Sequence, residues 1–415
     1  MKRVVIGLSG GVDSSVAAAL LIEQGYEVEG VYLECYNEPG CRTDQDKADA
    51  LKVAIKLGIK FEVLDFRKEY SKRVIEYFYR EYEAGRTPNP DIVCNREIKF
   101  GIFYDWALRL NSFAQGYNHE PFDYVATGHY CRTVLYKVSP CKVQGETLRF
   151  LRLQRGRDES KDQSYFLWQI PRDHLSHILF PLGNMLKSEV RAKAKELDLH
   201  VASKPDSMGI CFIGEVDVSK LLKERLGEKP GNVVLYPAGS DLVGQHVSDL
   251  RDLTLNGAVV GRHRGLWFYT IGSRGGWERG KLNHYTIKTL HHLGIDTNDW
   301  PPLYVIGKDM KKNQLIVGSR EETMTKQFTI YNLHPTRMYE GASQFTNKDQ
   351  VVKYQTGEMY VRIRNLGELS EVKSLKIVNC KLEIETAKAV FGVASGQSAV
   401  IYDENGVLVT GGIIV

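Results

Sequence analysis

GLSGGVDSS, residues Gly7–Ser15, stands between MKRVVI and VAAALLIEQG. An apolar run, a glycine turn and an alanine-rich run read as strand, loop and helix. Gly10 and Gly11 carry no side chain, so backbone N–H groups can close around phosphate oxygens. A helix starting near Val12 points its positive end at the same place. Ser9, Ser14 and Ser15 add hydroxyl donors, and Asp13 is placed to orient the loop or to hold Mg²⁺. The phosphate loop G-x-x-x-x-G-K-[ST] is not met, because no lysine follows.

Outward from this loop, strands and helices alternate. YEVEGVYLE and KFEVLDF read as strands, and FDYVATGHY as a further strand ending in a glycine turn. DSSVAAALLIEQG is a helix with Val16, Ala17 and Leu20 on one face, closed by Gly25. TDQDKADALKVAIKLG is a helix capped by Thr43 or Asp44, with Leu51 and Ile55 on its buried side and Gly58 as its stop. YSKRVIEYFYREYEAG is a third helix. This alternation predicts an α/β fold, a doubly wound parallel sheet with ligands at the carboxyl ends of its strands. The opening loop lies at such an end.

Residues 137–147, KVSPCKVQGET, read as a hairpin insertion. LFPLGNMLKSEVRAKAKELDL holds an amphipathic helix with Leu186, Val190, Ala194 and Leu197 on one face. Lys187, Arg191 and Lys195 form a basic stripe beside it, suited to solvent or to a phosphate backbone. Beyond about residue 215 short strands and glycines take over. Hairpins are expected around Lys311–Asn313 and at Glu404-Asn405-Gly406. The expected division is residues 1–214 as an α/β catalytic domain, 215–300 as a small central α+β domain and 301–415 as a β-barrel.

Composition narrows the class. The 415 residues are 43% hydrophobic and 26% charged, as in a soluble globular protein. A net charge of +4 permits a polyanionic partner without requiring one. Seven cysteines, Cys35, Cys41, Cys94, Cys131, Cys141, Cys211 and Cys380, include no C-x-x-C pair, which argues against a zinc knuckle or a disulfide scaffold. No secretory signal or stretch long enough to span a membrane is read, so the expectation is a cytoplasmic protein.

Three further stretches carry chemistry. GRTPNPDIVCNREIKFG, Gly85–Gly101, reads as a proline-rigid loop rather than a helix, in which Asp91 and Cys94 lie three residues apart. Arg86, Arg96 and Lys99 put positive charge near the thiol, which lowers its pKa. KPDSMGICFIG, Lys204–Gly214, carries Cys211 between Ile210 and Phe212, which suggests a strand edge. DESKDQSYFLWQI places Lys161, Asp162 and Gln163 before an aromatic helix, with Asp158 and Ser160 as candidate caps.

The loop S-G-G-x-D-S is similar to the pyrophosphate loop of the ATP pyrophosphatases, the PP-loop or adenine nucleotide alpha hydrolase-like fold. Together with ATGHY, KDQSYFL, FPLGNMLKSEVR, DSMGICFIG, YTIGSRGG and PLYVIGKD, in that order, the chain resembles the MnmA-type tRNA-specific 2-thiouridylases. The resemblance implies ATP-dependent 2-thiolation of the wobble uridine of tRNA of the Lys, Glu or Gln type. It implies ATP binding by Gly7, Leu8, Ser9, Gly10, Gly11, Val12, Asp13, Ser14, Leu33 and Gly128, with Mg²⁺. Cys211 matches the persulfide carrier and Cys94 the nucleophile that forms a disulfide with it; Asp91 matches the acid/base group. Asn89, Pro90 and Asp91 border the target base. Lys161, Asp162 and Gln163, and in the last domain Arg364 and Asn365, match tRNA contacts. The partners implied are tRNA and a sulfur-relay or cysteine desulfurase protein, with no DNA and no membrane.

The sequence departs from that pattern in three places: Asn365 stands where the family's Arg-Tyr pair has Tyr, and two more lie upstream. Ser273 of TIGSR stands where the family has Gln, and 277–300, which contains Trp277, His284, His291 and His292, is longer than the usual link. Two other enzymes would share the loop. One is an amide- or guanidine-forming ligase of the argininosuccinate or NAD synthetase type, which needs no paired cysteines. The other is a tRNA thiolase that depends on an iron–sulfur cluster, for which Cys94, Cys211 and Asp91 make an incomplete ligand set. A tRNA-binding protein without catalysis is a third reading, against which the intact loop and both cysteines stand.

Overall fold

The computed structural model describes residues 1–36, 43–110, 120–138, 148–206, 209, 211–212, 217–235, 258–280, 302–333, 352–353, 358–379 and 381–415. The first unit is built on a five-stranded parallel sheet. Its order is Lys60–Asp65, Glu27–Glu34, Arg3–Gly7, Tyr124–Ala126 and Ile178–Leu179. The central strand, Arg3–Gly7, is buried on both faces at Val4, Val5 and Ile6, which is why its sequence reads as a continuous apolar run rather than an alternation. Val5 belongs to one apolar layer, with Phe66, Trp106 and Trp168; Val4 and Ile6 belong to the opposite layer, with Val16, Val53 and Val190. Helices thus cover both faces, as doubly wound folds require.

The second helix, Thr43–Leu57, differs from its sequence reading. Leu51 and Ile55 are 44% and 70% exposed, whereas Asp49, Ala50, Val53 and Ala54 face inward. The apolar face is narrow, and the Asp49 carboxylate is drawn in by the Lys204 ammonium, 2.6 Å away. The 187–196 helix keeps its expected face, with Val190 and Ala194 fully buried. The insertion at 137–147 is flanked by the antiparallel strands Cys131–Val138 and Leu148–Arg155; its tip lies outside the described residues. So do Cys41, Cys141, Cys380, His284, His291 and His292.

A second sheet runs Glu278–Arg279, Ala258–His263, Gly231–Leu235, Gln314–Gly318 and Tyr304–Asp309. The 304–318 hairpin turns at Asn313 as expected, but a boundary at 301 would assign it to the last domain. Its strand Gln314–Gly318 pairs instead with Gly231–Leu235, in parallel. The last unit is a closed six-stranded barrel. Ser370–Val378, Met359–Arg362, Ser398–Asp403, Leu408–Ile414, Met324–Tyr331 and Lys381–Phe391 follow one another, and the last pairs back on the first. Gly406, at φ +71°, and Asn405, whose N–H donates to the Asp403 carboxylate, make the expected tight turn.

The barrel rests on the segment after residue 160. Trp168 Nε1 donates to Ser398 Oγ at 3.1 Å, and the Tyr165 hydroxyl donates to the Ile363 and Ser398 carbonyls. Beneath these lies Asp162, fully buried and 2.7 Å from Arg362 Nη1. Among the described residues no helix is long and apolar enough to cross a membrane.

Candidate active site

The glycine loop leaves the central strand at Gly7, and Leu8 N–H donates to Val31 O at 2.8 Å, so the loop begins at the carboxyl edge of the sheet. Gly10 has φ +70°, and a Cβ there would run into the Asp46 carbonyl. Ser9 N–H donates to Ser14 Oγ, and the Ser14 and Ser15 hydroxyls donate to Gly11 O. These internal bonds hold the loop. Gly11 caps the helix Val12–Glu23 without any side-chain acceptor, so that end of the helix is left to a ligand. Gly128 lies against it: a Cβ at Gly128 would sit 2.7 Å from Ser14 N and 2.9 Å from the Asp13 carbonyl carbon. Leu33, near the end of the adjoining strand, is buried in the wall.

The lysine missing from the loop arrives from elsewhere. Lys187 Nζ lies 2.7 Å from Asp13 Oδ1 and 2.8 Å from Asp206 Oδ1. Lys204 Nζ donates to the Gly10 carbonyl at 2.8 Å and pairs with Asp46 and Asp49. Asp206 also receives Lys161 and Arg191, each at 2.7 Å. Burial pushes the Asp206 carboxyl up, but its lysine partners Lys161 and Lys187 outweigh this and hold it down to about 2. The basic stripe therefore divides. Lys187 and Arg191 turn toward the loop, and only Lys195 is exposed. Neither Lys187 nor Lys204 was assigned to the site from sequence; their spacing from Asp13 is too long for any local pattern. Tyr130, whose hydroxyl donates to Asp13 Oδ1 at 2.8 Å, was missed likewise, although ATGHY contains it.

The second half of the site is the thiol pair. Asn89 caps the helix Pro90–Cys94 through Oδ1, which accepts from Ile92 N–H. This helix runs on through π-type turns at Asn95–Ile102. Residues five apart lie about 140° apart on an α-helix; i→i+5 turns bring them back to one face. Cys94 and Lys99 are thus presented together. Lys99 Nζ donates to Cys211 Sγ at 3.0 Å, and the Cys94 thiol donates to the same sulfur. Cys211 N–H donates to Asp91 Oδ1 at 2.8 Å, and Tyr70 OH donates to Cys211 O at 2.7 Å.

Cys211 sits in a turn, not at a strand edge, with Phe212 at φ +66°. Gly209 and Cys211 are described, while Ile210 and Gly214 lie outside the described residues. Hydrogen bonds from Cys94 and the Lys99 charge pull the Cys211 thiol down, against burial. Burial pushes the Cys94 thiol up, and donation to Cys211 keeps it protonated. The basic loop was expected to ionise Cys94; the charge settles on Cys211 instead, because Lys99 points there. Burial and the neighbouring Cys211 raise Asp91 to about 7. Both cysteines are free thiols in this structure.

The remaining expected contacts separate. Lys161 is taken up by Asp206, and Gln163 Oε1 accepts from Tyr130 N–H. The Asp162 carboxylate accepts from Gly156 N–H, Ser164 N–H and Arg362, so its side chain joins two domains rather than facing solvent. Arg364 is exposed and donates to the Phe391 and Gly392 carbonyls, and Asn365 Oδ1 is buried without a hydrogen-bond partner among the described residues. Asp13 and Asp206 share the Lys187 ammonium beside the loop. That donor set fits Mg²⁺, which is held by one or two carboxylates together with phosphate oxygens. Among the described residues no group of three or more His, Cys, Asp or Glu side chains is arranged to hold a metal ion.

Residues 2–215 match the tRNA methyl transferase HUP domain, 219–319 the tRNA methyl transferase PRC-barrel domain, and 339–414 the aminomethyltransferase beta-barrel domain. The chain is 36% identical over 405 residues to the tRNA-specific 2-thiouridylase MnmA of Lysinibacillus sphaericus, covering 97% of this chain and 91% of that one. It is 37% identical to that of Streptococcus pyogenes, covering 97% and 92%. Among solved structures, the U34-tRNA thiolase NcsA of Methanococcus maripaludis with its [4Fe-4S] cluster aligns over 54% of this chain and 66% of its own, at 19% identity and a TM-score of 0.27.

Proposed function

The chain belongs to the tRNA-specific 2-thiouridylase family, and from that premise we propose that it thiolates C2 of the wobble uridine of tRNA, using ATP and a persulfide carried on Cys211. The observation that carries this reading is the convergence of Cys94, Lys99 and Asp91 on Cys211.

The chemistry follows from the groups present. Uridine C2 is a poor electrophile until its oxygen is part of a good leaving group. The Gly7–Ser14 loop and the helix start at Val12 would bind ATP phosphates, with Gly128 and Leu33 bordering the nucleotide. Lys187 and Lys204 supply the positive charge that a lysine inside the loop supplies elsewhere. Mg²⁺, when bound by Asp13 and Asp206, screens the phosphate charge. The C2 oxygen attacks the α-phosphorus and pyrophosphate leaves. The terminal sulfur of the Cys211 persulfide then attacks C2, and AMP departs with the oxygen. Asp91, poised near neutrality, moves the proton. Cys94, giving up its proton to the Asp91 carboxylate, next attacks the Cys211 sulfur, which frees 2-thiouridine and leaves a Cys94–Cys211 disulfide; an external thiol reduces it before the next turnover. A sulfur-relay or desulfurase protein reloads Cys211.

Asn89, Pro90 and Asp91 border the flipped base, which only a single-stranded loop can offer. Lys161, Gln163, Arg364 and Asn365 are the proposed tRNA contacts. Purified protein with ATP, Mg²⁺, a sulfur source and tRNA for Lys, Glu or Gln, scored by mercury-gel shift, tests this. Thiolated uridine is expected from the wild type and from neither Cys94→Ala nor Cys211→Ala. A fully active Cys94→Ala enzyme removes the two-cysteine route.

A further inference from the structure

The helix Glu76–Glu83 ends at Gly85, in the left-handed region at φ +78°, and nine residues later the chain reaches Cys94. Between them lie Arg86, Thr87, Pro88, Asn89 and Pro90. Pro88 and Pro90 donate no hydrogen bond and hold φ stiffly, and residues 86–89 form no secondary structure before the helix that starts at Pro90. Arg86 is tied to Glu81 of its own domain, and Gly85 and Thr87 are held from the other two domains. Lys308 Nζ donates to the Gly85 carbonyl at 3.0 Å. Thr87 N–H donates to Ser395 O at 2.8 Å, and Thr87 Oγ1 to Thr270 Oγ1 at 3.3 Å. A Cβ on Gly396, at φ +89°, would lie 2.8 Å from Arg86 Cβ and 3.0 Å from Thr87 N.

Lys308 is the unusual member. It stands on Tyr304–Asp309, the edge strand of the middle sheet, where a lysine ordinarily keeps its charge in water and deters edge pairing. Here it lines a 1390 Å³ cleft between the three domains, and burial alone holds its ammonium down to about 8. Among the described residues it has no carboxylate partner, so the Gly85 carbonyl is where its charge is used. The alternating pattern of the strand turns Val305, Gly307 and Asp309 inward and leaves Lys308 toward the cleft.

We propose that Lys308 is a positioning residue: with Thr270 and the Ser395–Gly396 turn it clamps residues 85–87, and through the rigid Pro88-Asn89-Pro90 segment it sets Asp91 against Cys211. The two accessory domains then do more than bind RNA. They complete the geometry of the thiol pair, and any shift between domains is delivered to Asp91. The kinetic part of this inference rests on the proposed thiolation, and the structural part does not.

The test compares full-length wild type, Lys308→Met, Lys308→Arg and Thr270→Val by amide hydrogen exchange, by the pH profile of Cys211 alkylation and by thiolation kinetics. Loss of one hydrogen bond of about 1.4 kcal/mol corresponds to roughly tenfold faster exchange. For Lys308→Met that change is expected only in residues 85–94, with a displaced alkylation profile. Its thiolation kcat should fall several-fold while KM for ATP stays level, and Lys308→Arg should restore most of both. Thr270→Val should reproduce the pattern more weakly. Exchange and alkylation in Lys308→Met identical to wild type would overturn the clamp, and so would faster exchange spread evenly over all three domains. A wild type that thiolates nothing, with the local exchange effect still present, supports the clamp and sinks the proposed function.

Discussion

Lys99 Nζ donates to Cys211 Sγ across 3.0 Å, although 112 residues separate them in the chain. The ammonium is enclosed with the sulfur, and Phe212 covers it at 5.4 Å from its ring centre. Replacement of Lys99 by Met should raise the pH midpoint of Cys211 alkylation by at least about one unit, because the opposite charge that favours the thiolate is gone. Iodoacetamide labelling across pH 5–9, followed by mass spectrometry, measures it. An unchanged midpoint would assign the thiolate to Cys94 donation alone.

Asp91 should make the protein less stable as pH rises. Its folded pKa, about 7, lies above the roughly 3.9 of an unfolded aspartate. The folded chain therefore binds more protons between these values, and stability falls from about pH 4 to about pH 7. Asp91→Asn keeps an acceptor for Cys211 N–H and has no proton to lose. Urea midpoints of wild type and variant should diverge over that window, with the variant the more stable at pH 8. Parallel curves would show that Asp91 titrates as an ordinary carboxyl.

Lys187→Met should reduce tRNA-dependent pyrophosphate release about a hundredfold, the usual effect of removing one preorganised charge from a reacting group. Lys193→Met, on the same helix but paired with Glu23 and Glu196, should leave the rate within about twofold. Coupled pyrophosphatase assays separate the two. Equal losses would mean that Lys187 acts through the helix and not on phosphate.

Asp162→Ala strands Arg362, which is only 4% exposed, so it should destabilise the protein by about 3–5 kcal/mol. Lys161→Ala, which breaks a half-exposed pair with Asp206, should change stability by less than about 1 kcal/mol. Chemical unfolding curves give both values. A small effect at Asp162 would free its carboxylate for the RNA contact that the family resemblance implies.

Much of this arrangement was legible beforehand, and the reasons differ from element to element. The strand Arg3–Gly7 and the glycine loop were readable because both are local: apolar burial on two faces, then a turn that only glycine tolerates. The Thr43–Leu57 helix was misread at Leu51 and Ile55 because its inward face carries Asp49, held by Lys204 from the far side of the domain. The pairing of Gln314–Gly318 with Gly231–Leu235 joins strands about eighty residues apart, and no hydrophobic period records a partner at that range.

The order of strands and helices, the glycine loop and the barrel hairpins were determined by the sequence itself, since each rests on spacing or turn chemistry within a few residues. Tertiary structure decided where the charges go. It brought Lys187 and Lys204 to a loop that lacks its own lysine, gave the thiolate to Cys211 rather than Cys94, and closed Asp162 into the seam between domains. Electrostatic partners are chosen by distances of a few ångströms in three dimensions, and in a folded chain those distances bear no relation to separation along it.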